Sequence, residues 1–404
     1  MLIKRRDFIK IGSLATGSLL VPRFLHATND VGQIIPTKNK VVVVLQLSGG
    51  NDGLNTVIPI NNDIYYRLRP QLAIAANDVI KLTDEVGLNP HLPFFKELYE
   101  QGELAILNNV GYPEPNRSHF RSMDIWQSAS QSNQVWQNGW IGRYLDHIEA
   151  SRTNPIAAME IDDTLSLALK GKQEKAIATK DVKRLLNNSH QAYFNELNKI
   201  YEKQHHAHHE KPVDYLYKTM ASTLQSVDYL AEQQGRTKIQ NRKYPASVLA
   251  HSLKTVASLI LSDVRTQIYY VSIGSFDTHN NQQRRQADLF KQMDGALNAF
   301  IAELKQNGRF DDVLLFTFSE FGRRVAQNAS NGTDHGTANQ LFLISGGLKQ
   351  KGLLNVLPDL EHLDNGDLRY EIDFKRVYAT ILNKWLQADA QTILGHAYEP
   401  LSFI

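Results

Sequence analysis

The sequence predicts an α/β protein built around a central, mostly parallel sheet. Three observations point to that class: continuous apolar runs rich in β-branched residues, helical patterns between them, and polar turns that follow the runs. Runs that are apolar at every position suit strands covered on both faces. Their alternation with amphipathic helices is the pattern of a doubly covered parallel sheet.

The elements follow in order. KVVVVLQL (40–47) reads as the first buried strand, and ELAILNNV (103–110) as the second. TQIYYVSI (266–273), DVLLFTF (312–318) and QLFLISGG (340–347) are the third, fourth and fifth, with the shorter IAAMEI (156–161) as a further candidate. Between them, HLPFFKELYEQG (91–102) reads as a helix stopped by Gly102, and SHFRSMDIWQSAS (118–130) as one opened by a capping-type Ser118. Residues 246–263, 284–308 and 373–386 repeat apolar side chains at helical spacing. From about 170 to 245 the chain turns rich in Lys, Gln, Asn and His, with apolar residues at helical spacing, and reads as a helical insertion. The HHAHH tract (205–209) lies there and reads as a solvated segment, although His-rich tracts can also bind metal.

Composition removes several classes of function. There is no cysteine, so disulfides, thiolate metal sites and Cys nucleophiles are excluded. The net charge of +2 gives no electrostatic footprint for nucleic acid. No Walker A segment, G-x-S-x-G elbow or G-x-G-x-x-G loop is present.

The first 27 residues read as an export leader rather than as part of the fold. Lys4, Arg5, Arg6 and Lys10 precede a short apolar stretch over 11–21, too short for a stable membrane span. Arg5-Arg6 with Phe8 and Lys10 resembles the twin-arginine signal, which implies the twin-arginine translocase as a partner during export. The expected organisation is a leader over 1–27 and one α/β domain over 28–404, periplasmic or secreted from a bacterium.

The polar motifs sit at the ends of the predicted strands, where α/β sheets build their sites. SGGNDGLNTVIP follows the first strand and carries Asp52. EPNRSHF follows the second and carries Arg117, Ser118 and His119. GSFDTHNNQ follows the third with Asp277 and His279, and SEFGRR follows the fourth with Glu320 and Arg323. GTDHG, with Asp334 and His335, precedes the fifth. Each motif alone has an ordinary explanation as a turn or a helix cap. Capping needs one short polar group per helix and does not call for two arginines and several histidines as well. Asp, Glu and His together suit divalent ions such as Zn²⁺, Mn²⁺, Mg²⁺ or Ca²⁺. A hydroxyl at a helix start, Ser118, suits a nucleophile or an anion contact.

The motifs LQLSGGNDGLNTVIP, RSHFRSMDIWQ, GSFDTHNNQ, SEFGR and GTDHG, in this order, resemble the DUF1501 family, a group of exported bacterial proteins related to alkaline phosphatases and sulfatases. The resemblance implies an alkaline-phosphatase-like sandwich with a central, mostly parallel sheet. It also implies a metal-dependent hydrolase ancestry with one or two ions. By position it implies Asp52, Asp277, His279, Glu320 and His335 as metal ligands, joined by Asp334. Ser118 would be the nucleophile, beside Arg117, His119 and Arg323 in catalytic roles. The superfamily's usual Asp-His pair is Glu320-Phe321 here, and Phe321 cannot bind an ion. The function implied is hydrolysis of a phosphate or sulfate ester, whose substrate is an anionic small molecule or polymer. The alternative is a non-catalytic exported binding or assembly protein on the same scaffold.

Overall fold

The computed structural model describes residues 40–148, 156–172, 176–182, 242–262 and 264–404. The expected leader, the HHAHH tract and most of the expected insertion lie outside the described residues. The strands, in chain order, are β1 (Val41–Leu47), β2 (Val57–Pro59), β3 (Ile80–Lys81), β4 (Val86–Leu88), β5 (Leu104–Gly111), β6 (Ala158–Glu160), β7 (Ala176–Ala178), β8 (Ile268–Ile273), β9 (Val313–Phe318), β10 (Asn339–Ile344), β11 (Gly352–Leu353) and β12 (Ile372–Asp373). All six predicted strands form, within three residues of the expected bounds. Among the described residues no helix is long and apolar enough to cross a membrane.

The chain divides into two compact units. The described parts of the first fall within Gln137–Gln240 and Thr255–Tyr270. There β6 pairs in parallel with β7 and with the beginning of β8, Ala158 opposite Ile268 and Glu160 opposite Tyr270. The helix Trp140–His147 buries Trp140, Ile141, Tyr144 and Leu145. β7 is a strand within the stretch from about 170 to 245 that the sequence reads as a mostly helical insertion. Its three residues, Ala176, Ile177 and Ala178, are all buried, and β6 supplies the partner that an isolated apolar triplet lacks.

The second unit comprises Lys40–Trp136, Asn241–Lys254 and Val271–Ile404. Its strands run β11-β5-β10-β9-β1, followed by the end of β8. β1 and β9 pair in parallel from Val41–Val313 to Gln46–Phe318, and β11 and β12 pair in parallel with β5. β10 is the exception, antiparallel to both β5 and β9. The sheet is therefore mixed and mostly parallel, as the class predicts. Every residue of β1, β5, β9 and β10 is buried, which accounts for their unbroken apolar or neutral sequences. Trp126 on the helix His119–Ser128 stacks between Phe318 at the end of β9 and Phe374, with ring centroids 5.2 and 4.1 Å away. That stack fixes the helix against the sheet ends where the polar motifs lie.

The long helix Gln282–Gln306 covers the sheet with Leu289, Phe290, Met293, Leu297, Phe300 and Leu304. Asp294 sits on the same buried face. Its Oδ1 accepts the Phe94 N–H at 2.9 Å, at the start of the helix Pro93–Gln101. Burial pushes its carboxyl up to about 7, against the N–H groups of Phe94 and Phe95, which favour the charged form. The folded-state value lies above the unfolded one. The stability contributed by this group is therefore complete below about pH 4 and is lost as pH rises through the folded value. Asp294→Asn keeps the acceptor and removes the titration. Urea unfolding at about pH 5 and about pH 8 should show a smaller loss of stability at the higher pH in the variant than in the parent. Equal losses in the two proteins would contradict this reading.

Candidate metal centre

The site begins with the way β1 and β8 end. The Ser48 N–H donates to the Ile273 carbonyl at 2.9 Å, and the Phe276 N–H returns to the Ser48 carbonyl at 3.1 Å. The two loops thus continue side by side past the sheet edge. Gly49 and Gly50, at φ +117° and +77°, make the turn possible. A Cβ on Gly49 would fall 2.3 Å from the Asp277 nitrogen, and one on Gly50 would fall 2.4 Å from the Phe321 ring.

Arg323 then locks the loops together. Its side chain has no exposed surface. Nε donates to the Gly50 carbonyl at 2.6 Å, and Nη1 to that of Thr333 at 2.9 Å. Nη2 reaches the carbonyls of Gly49 and Phe276 and the Asp277 carboxylate, the last at 2.8 Å. One planar guanidinium thereby joins the β1 loop, the β8 loop and the segment leading into β10. Each buried carbonyl left without such a donor would cost about 1–3 kcal/mol.

The antiparallel course of β10 brings the last motif to this edge. A backbone bridge between Arg323 and His335 sets GTDHG beside SEFGRR. Three histidines now surround Asp277. His279 Nε2 lies 3.0 Å and His335 Nε2 3.2 Å from Asp277 Oδ1. His119 Nε2 lies 3.7 Å from Oδ2. Asp277, His119 and His335 each place a ligand atom within 4.8 Å of the others. The Phe321 ring packs against two of the imidazoles, 4.9 Å from His119 and 4.6 Å from His335 between centroids.

Each histidine is held by its other nitrogen. His335 Nδ1 donates to the Arg117 carbonyl at 2.9 Å. A carbonyl only accepts, so Nδ1 carries the proton and Nε2 presents its lone pair. His119 Nδ1 faces Glu320 Oε1 at 2.8 Å, and His279 Nδ1 faces Asp334 Oδ1 at 3.4 Å. Acceptors behind three imidazoles are the outer layer that orients metal-ligating histidines. His279 Nε2 and His335 Nε2 are 3.0 Å apart. That distance suits either an Nε2–H of His279 donating to the His335 lone pair or two lone pairs turned to a shared cation. The donor set, imidazole nitrogen with one carboxylate, suits Zn²⁺ or Mn²⁺ better than the all-oxygen shells of Ca²⁺.

The electrostatics agree with a cation site. Burial pushes the Asp277 carboxyl up, but the Arg323 hydrogen bond and charge, with His335 and His279, outweigh it and hold the group down at about 2. Burial lowers the His335 pKa and so favours the neutral, ligating form. The hydrogen bond that His119 Nδ1 donates to the Glu320 carboxylate raises the pKa of His119. The Asn328 hydrogen bond, aided by His279, lowers that of Asp334.

Not every predicted residue takes its expected place. Glu320, expected as a ligand, is buried behind His119, and its Oε1 also accepts the Gly49 N–H at 2.8 Å. Its place is to orient the imidazole. His119, expected in a catalytic role, joins the candidate ligands. Arg323, expected in a catalytic role, is enclosed and positions the loops. Asp52 is buried against Arg69 Nη1 at 2.5 Å and does not join the histidine cluster. Ser118 is exposed at the start of the helix His119–Ser128 and makes no cap bond. Arg117 is 40 % exposed and pairs with the buried Asp367, while Arg324, 37 % exposed, reaches the other oxygen of Asp367 at 3.9 Å. Arg324 and Asp367 were missed in the sequence, though the Arg323-Arg324 pair could have suggested that one arginine turns outward. Ser122 was missed too: its hydroxyl donates to the Glu320 carbonyl and meets Tyr112 Oη at 2.6 Å. Phe321 also lines a cavity of about 600 Å³, with Tyr112, Thr337, Arg369 and Tyr370 among its walls.

The family model described as "Protein of unknown function (DUF1501)" matches residues 99–354, the span that holds all three histidines and Asp277. The chain belongs to the DUF1501 family. No curated protein matches it. Among solved structures, this DUF1501 protein is similar to the PsFucS1 sulfatase from Pseudoalteromonas sp., at 13 % identity over 91 % of this chain and 74 % of that one, with a TM-score of 0.37. It is also similar to the C-terminal periplasmic domain of EcEptC from Escherichia coli, at 8 % identity over 76 % and 74 % of the two chains and a TM-score of 0.36. Phosphonoacetate hydrolase from Sinorhizobium meliloti 1021 has 13 % identity over 72 % and 58 %, with a TM-score of 0.29. Likenesses at this level carry no argument about chemistry, which rests on the side chains above.

The Glu320–His119 pair makes a direct prediction. Glu320→Gln keeps an acceptor for the Gly49 N–H and removes the charge behind the imidazole. Affinity for Zn²⁺ or Mn²⁺, measured by calorimetry, should fall by roughly 10–100-fold with the fold intact. An unchanged affinity would detach Glu320 from the site.

Proposed function

We propose that this DUF1501 protein is an exported, metal-dependent hydrolase of phosphate or sulfate esters, of the alkaline phosphatase and sulfatase type. One observation carries the reading: three imidazoles, each held through Nδ1, turn Nε2 toward a single carboxylate that a buried arginine keeps ionised. Asp277, His335, His279 and His119 would hold the ion. A divalent ion there supplies Lewis-acid polarisation of a phosphoryl or sulfuryl oxygen.

The remaining work falls to the chain. Arg117 and Arg324 present guanidinium N–H groups to the non-bridging oxygens of the anion, with Asp367 holding them in place. Ser118 Oγ or a water molecule is the attacking group, the proton it gives up ends on the leaving alcohol oxygen, and after attack by Ser118 a water hydrolyses the serine ester to free the hydroxyl and the inorganic anion. The cavity beyond Phe321 has room for the alcohol portion, whether a small molecule or the end of a polymer. Export through the twin-arginine translocase to the periplasm or beyond is supported by the Arg5-Arg6 leader.

The test is metal analysis of protein purified without chelator, joined to a screen of aryl phosphate and aryl sulfate esters with added Zn²⁺, Mn²⁺, Mg²⁺ or Ca²⁺. Turnover and bound metal are expected, and Asp277→Asn should lose the metal and at least roughly 100-fold in kcat/KM. A folded protein with neither metal nor turnover overturns the proposal. Bound metal without turnover on any ester favours a binding or assembly role for the same centre.

A further inference from the structure

The resemblance of the motifs to the alkaline phosphatase group implies a second ion, held by the first-strand carboxylate and an Asp-His pair after the fourth strand. The residues at those places are engaged otherwise. Asp52 Oδ2 accepts Arg69 Nη1 at 2.5 Å and also the Gln282 side-chain amide. Arg69 is locked in turn: Nη1 donates to Asn55 Oδ1 at 2.8 Å, Nε to the Val325 carbonyl at 2.7 Å and Nη2 to the Arg324 carbonyl at 2.9 Å. The side chains of Arg69 and Asp52 are 0 % and 1 % exposed. A divalent ion at Asp52 would lie beside a fixed guanidinium in a water-poor interior, where like charges repel strongly. Asp52 Oδ1 is buried with no hydrogen-bond partner. Glu320 is committed to His119 and the Gly49 N–H, and Phe321 has no donor atom. Among the described residues, the one group of three or more His, Asp or Glu ligand atoms close enough for an ion is His119, Asp277 and His335, with His279 beside it and neither Asp52 nor Glu320 within it.

We infer that the centre takes one divalent ion per chain, and that the Arg69 guanidinium is a built-in cation standing in for the second. Asp52 is then a structural counter-ion to Arg69. The inference rests on the metal reading above and adds the number of ions and the role of Arg69.

The experiment is titration of the chelator-treated full chain with Mn²⁺, followed by calorimetry and by electron paramagnetic resonance. The expected result is a stoichiometry of about one, with the six-line spectrum of an isolated ion. Asp52→Asn should leave both the stoichiometry and the affinity within about threefold of the parent, although it strands a buried arginine and lowers the melting temperature. Asp277→Asn should weaken Mn²⁺ binding by at least roughly 100-fold. Two ions per chain, an exchange-coupled spectrum, or a tenfold or greater loss of affinity in a folded Asp52→Asn would overturn the inference and leave the metal reading standing. If Asp52→Asn does not fold, the spectrum and stoichiometry of the parent still decide. Complete absence of binding by the folded parent would overturn the metal reading, and this inference with it.

Discussion

The Arg323 guanidinium is the contact on which the candidate centre depends. It is enclosed by protein and donates to backbone carbonyls from the β1 loop, the β8 loop and the segment before β10. None of these segments is held by a sheet ladder at that point, and this side chain joins all three, alongside the backbone bonds around Ser48, the Arg323–His335 bridge and the Gly49 N–H bond to Glu320. The same guanidinium touches Asp277, which sets both the position and the ionised state of the carboxylate that the histidines face. Lysine could not replace it, because a point charge lacks the fork of donors that reaches several carbonyls at once.

The second constraint is topological. Residues that follow parallel strands gather at one sheet edge, which accounts for Asp277, Glu320 and the loop after β5. His335 precedes its strand, and in a wholly parallel sheet it would fall at the opposite edge. β10 runs antiparallel to both of its neighbours, so its beginning lies beside their ends. The gathering of four motifs was thus legible in the sequence, while its geometric reason was not. Direction is absent from an apolar run: QLFLIS reads the same whichever way its neighbours lie.

The strands themselves were legible because burial on both faces leaves no charged position in β1, β5, β9 or β10 and few polar ones, and the alternation with helices gave the class. The triplet β7 was not, since three apolar residues form a strand only if a partner stands beside them. Within the site, residue types were easier to find than roles. Asp277, His279 and His335 face one another as the motifs suggested. Glu320 and Arg323 serve the cluster from behind, because burial removes them from any ligand. Asp52 is buried too, against Arg69. Nothing near it in sequence announces Arg69, which lies in a separate loop and meets it only through the fold. Phe321 was read as a lost ligand. In the structure it supplies an apolar wall against His119 and His335 and one side of the adjoining cavity.

The central claim is that the imidazoles of His119, His279 and His335 and the Asp277 carboxylate share a divalent ion. Anomalous diffraction from crystals soaked in Zn²⁺ or Mn²⁺ tests it most directly. The account predicts one strong peak about 2.0–2.3 Å from Asp277 and from His335 Nε2, with the remaining histidines at or next to the coordination shell. A strong peak beside Asp52, or no peak among the three imidazoles, would contradict it.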